Sequence, residues 1–302
     1  MHSINSINDY HKLAGLPKPE HPLVSLVDYS QVHYETDEKG QLTILQGNYS
    51  IALKRGVQGK LRYGQKTYDF DEGLMSFVAP GQVLNITVDK DAQPKPTGSI
   101  LLINPDFLWN TALAKKIKEY EFFGYHINEA LFLSEKEEQS IIGIMKNIEK
   151  EYHATIDDFS QHIMISQIEL LLNYVDRFYH RQFITRQISN HEVLGELDQL
   201  LTGYFDQDNL ASVGLPNVQD IADQLNVSPN YLSSLLKVLT GQNTQQHIHN
   251  KLIEKAKEKL STTQLSVSEI AYSLGFEHSQ SFSRLFKNKT SQSPLEFRAS
   301  FN

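Results

Sequence analysis

Metal or nucleophilic chemistry would need histidine, cysteine and acidic side chains at suitable spacing, and this chain has few such groups. It contains 12 His and no Cys, which excludes disulfides, thiolate zinc sites and a cysteine nucleophile. The His-x-His pair, His247 and His249, falls in a predicted helix, where positions i and i+2 point to different faces. The β-rich region has only His21 and His33, which lie far apart. No serine nucleophile elbow, phosphate-binding glycine loop or spaced acid pair occurs. The sequence therefore predicts no metal, no cofactor and no enzyme activity.

A short pattern occurs twice between residues 218 and 298, and each copy has the form of a helix-turn-helix. The Ile, Ala and Leu of the pattern recur at an offset of 49 residues, whereas its closing apolar pair and Lys recur at 50. The second copy therefore has one extra residue in its turn. The copies read IADQLNVSPNYL and LLK within residues 221–237, and IAYSLGF and SFSRLFK within residues 270–287.

Turn and cap residues delimit the helices of both copies. Asn226 in one copy and Gly275 in the other can adopt the left-handed conformation that a tight turn requires. Ser228 can cap the next helix, with Pro229 at its first position, where a missing N–H costs nothing. The helix that opens each copy has a capping-box pair, Asn217 with Asp220 and Ser266 with Glu269.

Residues 244–260 join the two copies and have apolar side chains at helical spacing. A helix of this length is a rod of roughly 25 Å. Such a rod can hold two recognition helices roughly 34 Å apart, which is one turn of B-DNA. A single chain could then enter two successive major grooves.

The C-terminal residues resemble a known family. Their pattern is similar to the signature of the AraC/XylS family of bacterial transcription regulators. The residues that match it are Ala271, Gly275-Phe276, Phe282, Phe286-Lys287, Ser293-Pro294 and Phe297-Arg298, with Thr240-Gly241 earlier in the chain. The resemblance covers about the last hundred residues. One position departs from it: Ser291 stands where the family usually has Gly, so we expect that helix end to be strained or shifted.

The resemblance implies which side chains meet DNA. The apolar residues of the two recognition helices are assigned to the core. The polar side chains are assigned to base edges or phosphate: Asn230, Ser233, Ser234 and Lys237 in the first copy, and His278, Ser279, Gln280, Arg284 and Lys287 in the second. Arg can bond guanine in bidentate fashion and Gln can bond adenine, so the second helix has the stronger specifying chemistry. The first recognition helix is expected mainly to position the protein on the DNA backbone, and less to specify the base sequence.

The charge is divided unevenly along the chain. Its 302 residues have a net charge of −8, yet the part from Val213 onward has nine Lys and Arg against seven Asp and Glu, a net +2. The rest has 19 basic against 29 acidic residues, a net −10. The basic residues therefore cluster in the part that would face phosphate. The other interpretation of the lysines in residues 251–259 is a solvated helix face.

The sequence of the N-terminal region predicts a small β-rich structure. Three prolines, Pro17, Pro19 and Pro22, suggest an arm without regular structure at residues 1–20. Residues 21–109 then hold short β-like runs at residues 24–29, 49–54, 59–63, 66–70, 74–78, 84–88 and 99–103. In AraC-like regulators this place is typically held by a cupin-like sensor barrel. Aromatic and polar residues of the strands are candidates for a small-molecule site: Tyr49, Arg62, Tyr63, Tyr68 and Phe77. The alternative is that these aromatic residues are ordinary strand and core residues.

Helical periodicity begins at residue 110. Two long helices broken near residues 154–158 predict a helical hairpin over residues 110–187. Residues 163–178 are expected to form a homodimer contact, and the alternative is that both helices only pack on their own barrel. Residues 188–302 are assigned to the DNA-binding domain, with a first helix at residues 190–205 and a flexible polar loop at residues 206–217.

The sequence thus predicts an α+β chain whose all-α C-terminal domain has two helix-turn-helix motifs joined by a linker helix. We interpret it as a cytoplasmic DNA-binding transcription regulator, since no signal peptide and no stretch of 18 apolar residues occurs. Its expected partners are double-stranded DNA, a second copy of the chain, a small-molecule effector and RNA polymerase. Two alternatives stay open: a sugar-modifying cupin enzyme with an appended DNA-binding domain, and a constitutive DNA binder whose barrel only assembles the protein.

Overall fold

The computed structural model describes residues 1–55, 73–87, 97–126, 129–155, 157, 159–207, 210 and 214–301. The chain divides into two compact units, Met1–Arg186 and Gln187–Asn302.

Two sheets form the framework of the N-terminal unit. A three-stranded sheet has the order β1, β3, β6, with β1 parallel to β3, and a five-stranded antiparallel sheet has the order β2, β7, β4, β5, β8. The strands are β1 His2–Ile4, β2 Val24–Asp28, β3 Gln41–Gln46, β4 Tyr49–Arg55, β5 Gly73–Val78, β6 Val83–Thr87, β7 Thr97–Ile103 and β8 Leu131–Leu133. The strands predicted near residues 24–29, 49–54, 74–78 and 99–103 are confirmed, as is the described part, residues 84–87, of the one predicted at 84–88. Those predicted at 59–63 and 66–70 lie outside the described residues. The cupin-like barrel stays a prediction.

The first 20 residues are not an unstructured arm, and this prediction was wrong. Strand β1 pairs with β3, and helix α1 (Ile7–Leu13) begins with a capping box between Ser6 and Asp9. The prolines follow the helix and do not interrupt it. Residues Ile4, Ile7, Tyr10 and Ala14 recur at helical spacing and are buried against residues of both sheets, among them Leu42, Ile44, Ala52, Ile100 and Leu102. Burial of this stripe orders the segment.

Helices cover the other face of the five-stranded sheet. Helix α2 (Leu113–Lys116) is followed by short 3₁₀ turns, and α3 (Glu135–Tyr152) packs on α4 (Ser160–Thr185). Both long helices of the predicted hairpin are therefore confirmed. Strand β8 lies in the region predicted to be only helical and completes the sheet, so the hairpin belongs to the same compact unit as the strands. Most apolar residues of the predicted dimer stripe, such as Ile168, Leu171 and Val175, are fully buried within this unit.

Two predicted ligand residues lie in a packed aromatic cluster. Phe77 is 4% exposed, and its ring centroid lies 4.7 Å from that of Phe122 and 6.0 Å from that of Tyr179. Tyr49 packs edge-on against Phe123 at 5.1 Å. These contacts agree with the alternative interpretation, in which Tyr49 and Phe77 are core residues. Arg62, Tyr63 and Tyr68 lie outside the described residues.

The described part of the C-terminal unit is helical. Its helices are α5 Gln187–Phe205, α6 Val218–Gln224, α7 Pro229–Thr240, α8 Thr244–Thr262, α9 Val267–Ser273, α10 Ser279–Thr290 and α11 Pro294–Ala299. We call α6 with α7 the first helix pair, α9 with α10 the second helix pair, and α8 the linker helix. The helix predicted at residues 244–260 is thus confirmed, as is the one predicted at 190–205.

The hydrophobic core of this unit is built around the linker helix. Its stripe of Ile248, Leu252, Ile253, Ala256 and Leu260 is buried, and both helix pairs pack on it together with α5 and α11. Of the loop predicted at residues 206–217, the structure describes residues 206–207, 210 and 214–217. Leu210 is buried there, and the Gly214 N–H donates to its carbonyl oxygen at 2.8 Å.

Candidate nucleic-acid interface

The cap and turn residues of the first helix pair act as predicted, except that Asn217 and Asp220 form only one of the two bonds of a capping box. Asn217 caps α6 by accepting from the N–H of Asp220, and its side-chain amide also donates to the Asp220 carboxylate at 2.7 Å. Asn226 has a φ of 54°, the left-handed conformation of the turn. Ser228 then caps α7 by accepting from the N–H of Tyr231, and Pro229 takes the first helical position. Local chemistry therefore fixes where α7 begins.

The second helix pair uses the same devices. Ser266 and Glu269 form a full capping box at the start of α9. Gly275 provides the left-handed turn with a φ of 85°. The α10 helix begins after His278, which takes the N-cap position without a side-chain hydrogen bond to the backbone. The side chain of His278 is exposed and is not used in capping.

The two recognition helices end alike, although their last residues differ. Helix α7 ends at Gly241 with a φ of 75°, and α10 ends at Ser291 with a φ of 62°. Both N–H groups donate back to a lysine carbonyl, of Lys237 and Lys287 respectively. The helix end at Ser291 is therefore not shifted. Its serine adopts a left-handed conformation that a side chain disfavours by roughly 1–2 kcal/mol.

Exchanging these two residues should give opposite changes in stability. We expect Ser291→Gly to raise the free energy of unfolding of residues 187–302 by about 0.5–1 kcal/mol, since relief of strain exceeds the entropy that glycine adds to the unfolded chain. The matched variant, Gly241→Ser, should lower it by a similar amount. Urea unfolding followed by circular dichroism measures both changes. Two changes of the same sign would contradict the strain at Ser291.

Three of the residues predicted to contact DNA lie on the exposed face of α10. Gln280, Arg284 and Lys287 are all exposed and follow at i, i+4 and i+7, so they lie on one side of the helix. Phe282 and Phe286 occupy the buried side. Within the described residues, the Arg284 guanidinium has no hydrogen-bond or ion-pair partner. Ser281 and Asn288 are also exposed beside this row; the same helical spacing could have found them in the sequence.

The α7 face is smaller than predicted. Asn230 and Lys237 are exposed, and Ser233 is half-buried, with its hydroxyl 3.3 Å from that of Thr244. Ser234 is 9% exposed and lies on the buried side with Leu235, so its assignment to a base contact was wrong. A serine is small enough to be buried in a helix, and its polarity alone did not distinguish the two sides. Ser279, the first residue of α10, is half-buried.

Two of the four lysines of the linker helix form ion pairs within the unit. Lys251 lies 3.0 Å from the Asp198 carboxylate. Lys255 lies 2.7 Å from Asp206, and hydrogen bonds to Asp206 and Glu258 raise the pKa of its ammonium group. These pairs favour the interpretation of a solvated helix face over a phosphate-binding one.

The two imidazoles of the His-x-His pair are half-buried and bond to different side chains. His247 Nε2 lies 2.8 Å from the Thr240 hydroxyl, and His249 Nε2 lies 2.9 Å from the side-chain amide of Gln245. Burial lowers the pKa of both imidazoles, and nearby Lys289 lowers that of His249 further. In the described ranges, no three His, Asp or Glu side chains lie together as a metal ion would require. No helix in the described part of the chain is long and apolar enough to span a bilayer.

Comparison with known proteins identifies the C-terminal region. Residues 221–300 match the family described as "Helix-turn-helix domain", and the domain is of the AraC type. The Msm operon regulatory protein of Streptococcus mutans serotype c is 36% identical over 81 residues, which are 27% of this chain and 29% of that protein. The uncharacterized HTH-type transcriptional regulator YijO of Escherichia coli (strain K12) is 33% identical over 84 residues, 28% of this chain and 30% of that protein. The chain thus spans less than a third of the length of these two curated relatives.

A solved structure is also similar to this chain. It is the C-terminal domain of AraT, a response regulator from Geobacillus stearothermophilus, at 30% identity and a TM-score of 0.32. The similarity covers 36% of this chain and 84% of that one.

Proposed function

We propose that this chain, whose residues 221–300 form an AraC-type helix-turn-helix domain, is a sequence-specific DNA-binding transcription regulator. The observation that carries the proposal is the exposed row of Gln280, Arg284 and Lys287 on α10. An amide, a guanidinium and an ammonium group on one helix face offer hydrogen bonds to adenine, to guanine and to phosphate. The buried side of the same helix holds it on the core through Phe282 and Phe286.

Each chain would read two successive major grooves. The linker helix has 19 residues and a length of about 28 Å, and both helix pairs pack on it. The α10 face would specify bases, whereas α7 presents Asn230 and Lys237 and would mainly set the register on the backbone. His278 and Ser281 would add contacts at the N-terminal end of α10.

The N-terminal unit would serve assembly and sensing. Most of the predicted dimer stripe is occupied inside the unit, but Phe159, Ile163, Leu170 and Ile184 on or next to α4 are large apolar side chains with 42–69% exposure. They recur on one side of the helix, so this outward face is the surface that we propose for a homodimer. A small-molecule effector and RNA polymerase are the further partners that the proposal includes.

Selection of random duplex DNA by the full chain tests the proposal. We expect enrichment of one motif, with purine contacts in two major grooves spaced about 10–10.5 base pairs apart on one face of the helix. Methylation interference locates these contacts, and sedimentation equilibrium of the complex gives the number of chains bound. Contacts confined to one groove would contradict two-groove binding, and a failure to enrich any motif would contradict sequence-specific binding.

A further inference from the structure

The two recognition helices end beside the same side chain of the linker helix. Asn250 lies in the first half of α8 and is half-buried. Its side-chain NH₂ group donates to the side-chain oxygen of Gln242 at 2.7 Å, and its side-chain oxygen accepts from the Lys289 ammonium group at 3.1 Å. Gln242 is the second residue after α7, and Lys289 is the last residue but one of α10. We call these three side chains the amide bridge, because one amide connects the C-terminal ends of both recognition helices.

Lys289 lies on the side of α10 that faces away from the proposed DNA contacts. At about 100° per residue, it shares the side of the buried Phe282 and Phe286, which precede it by seven and three residues. It lies nearly opposite Gln280, where the exposed row begins. Burial lowers the pKa of the His249 imidazole on the linker helix, and the Lys289 ammonium group lowers it further. The positive charge of Lys289 is thus held at the linker helix and not in the row that would meet DNA.

A second hydrogen bond holds the end of α7 on the linker helix. The Thr240 hydroxyl donates to the Leu236 carbonyl oxygen at 2.8 Å, which leaves its oxygen to accept from the Nε2–H of His247 at 2.8 Å. His247 and Asn250 are three residues apart and so lie on one side of α8. The end of α7 is therefore attached to the linker helix at two neighbouring points, and one of them also holds α10.

We propose that the amide bridge fixes the angle and the spacing between the two recognition helices, and that Asn250 and Lys289 are positioning residues for two-groove DNA binding. Hydrogen bonds are directional, so a side chain that bonds both helices restricts the rotation of one against the other. Neither residue contacts DNA in this arrangement. The proposal rests on the proposed function, since the spacing matters only to a chain that enters two grooves.

Distance measurements without DNA test the bridge itself. The chain has no Cys, so Asn230→Cys and Ser281→Cys place one spin label on each recognition helix, at exposed positions. Double electron–electron resonance of the full chain gives the distribution of distances between the two labels. We expect one narrow distribution, and we expect Asn250→Ala and Lys289→Met each to widen it by at least half.

Two further variants show whether the bridge causes this change. Asn250→Asp places a carboxylate that can accept from both Lys289 and the side-chain NH₂ group of Gln242, so the distribution should stay narrow. The matched control, Asn288→Ala, removes an exposed amide of α10 that makes no side-chain hydrogen bond within the described residues. It should leave the distribution unchanged.

Spacing variants of the selected DNA motif test what the bridge does for recognition. One base pair inserted between the two groove contacts moves them about 3.4 Å apart and rotates them by about 36°. The native chain must break the bridge to follow this change. Because a net hydrogen bond corresponds to roughly a fivefold change in an equilibrium constant, Asn250→Ala and Lys289→Met should each reduce the penalty of the insertion about fivefold. Asn250→Asp should keep the penalty.

The results that would overturn the proposal are distinct from a failure to bind DNA. An unchanged distance distribution in Asn250→Ala and Lys289→Met rejects the bridge, and an unchanged insertion penalty rejects its role in spacing. A uniform loss of affinity at both spacings would indicate a merely structural role. Lys289→Met should leave the salt slope of DNA binding unchanged, and a slope reduced by about 1 would assign its ammonium group to phosphate instead. Since the distance measurement needs no DNA motif, it can fail while DNA selection succeeds, and the reverse.

Discussion

Replacing Gly275 by alanine is expected to lower the stability of the C-terminal unit by about 2–5 kcal/mol. Two costs add at this position. The turn holds Gly275 at a φ of 85°, which costs a residue with a side chain roughly 1–2 kcal/mol. A Cβ would also lie 2.9 Å from the carbonyl carbon of Gly214 and 3.1 Å from the carbonyl oxygen of Leu210. Both are backbone atoms, so a side-chain rotation cannot relieve the clash.

Gly241→Ala is the matched control for this prediction. Gly241 has a similar φ of 75°, but a Cβ there would have no heavy atom within 4 Å. We expect it to show only the conformational cost, about 1 kcal/mol. Thermal unfolding of residues 187–302 followed by circular dichroism compares the two variants, and Gly275→Ala should lower the Tm by roughly 10 °C or more. Equal losses would show that the backbone around Gly214 moves aside.

The close approach at Gly275 also connects stability with function. Leu210 and Gly214 lie in the sequence between α5 and the first helix pair, and their carbonyl groups lie against the turn of the second helix pair at Gly275. A side chain at Gly275 would push these parts of one unit apart. Its effect should therefore reach both recognition helices, and DNA affinity should fall even at a temperature where the variant remains folded.

The helix boundaries of the C-terminal unit could be predicted because short-range chemistry sets them. Asn226, Ser228 and Ser266 act on backbone groups at most three residues away, which the sequence displays directly. The buried stripes of α8 and α10 follow from their 3.6-residue period. The side of the helix on which a residue lies can therefore be predicted from the sequence wherever the apolar stripe is regular.

Contacts between distant parts of the chain could not be predicted from such short-range patterns. Lys251 and Lys255 form ion pairs with Asp198 and Asp206, which lie on or next to another helix. No local sequence pattern predicts these ion pairs. Ser234 appeared polar and accessible, yet it lies toward the core. The order of the first 20 residues likewise depends on residues of both sheets that bury Ile7 and Tyr10.

Arg284→Ala is expected to weaken binding to the selected DNA motif by about 1–3 kcal/mol, or roughly 5- to 150-fold, and binding to random duplexes much less. The guanidinium of Arg284 is exposed at the centre of the α10 row and has no partner within the described residues, so it is free to form two hydrogen bonds to guanine. Competitive titration of the motif and of random DNA, at several salt concentrations, measures both affinities.

Two further variants separate base recognition from charge. Arg284→Lys keeps the positive charge but loses the planar pair of donors, so it should lose most of the preference for the motif while retaining its affinity for random DNA. Lys287→Ala removes a charge one turn along the same face, and as a phosphate contact it should weaken both kinds of DNA about equally and reduce the salt slope by about 1. If Arg284→Ala instead lowers both affinities equally, its guanidinium contacts phosphate, and the specifying chemistry of α10 must come from Gln280 and its neighbours.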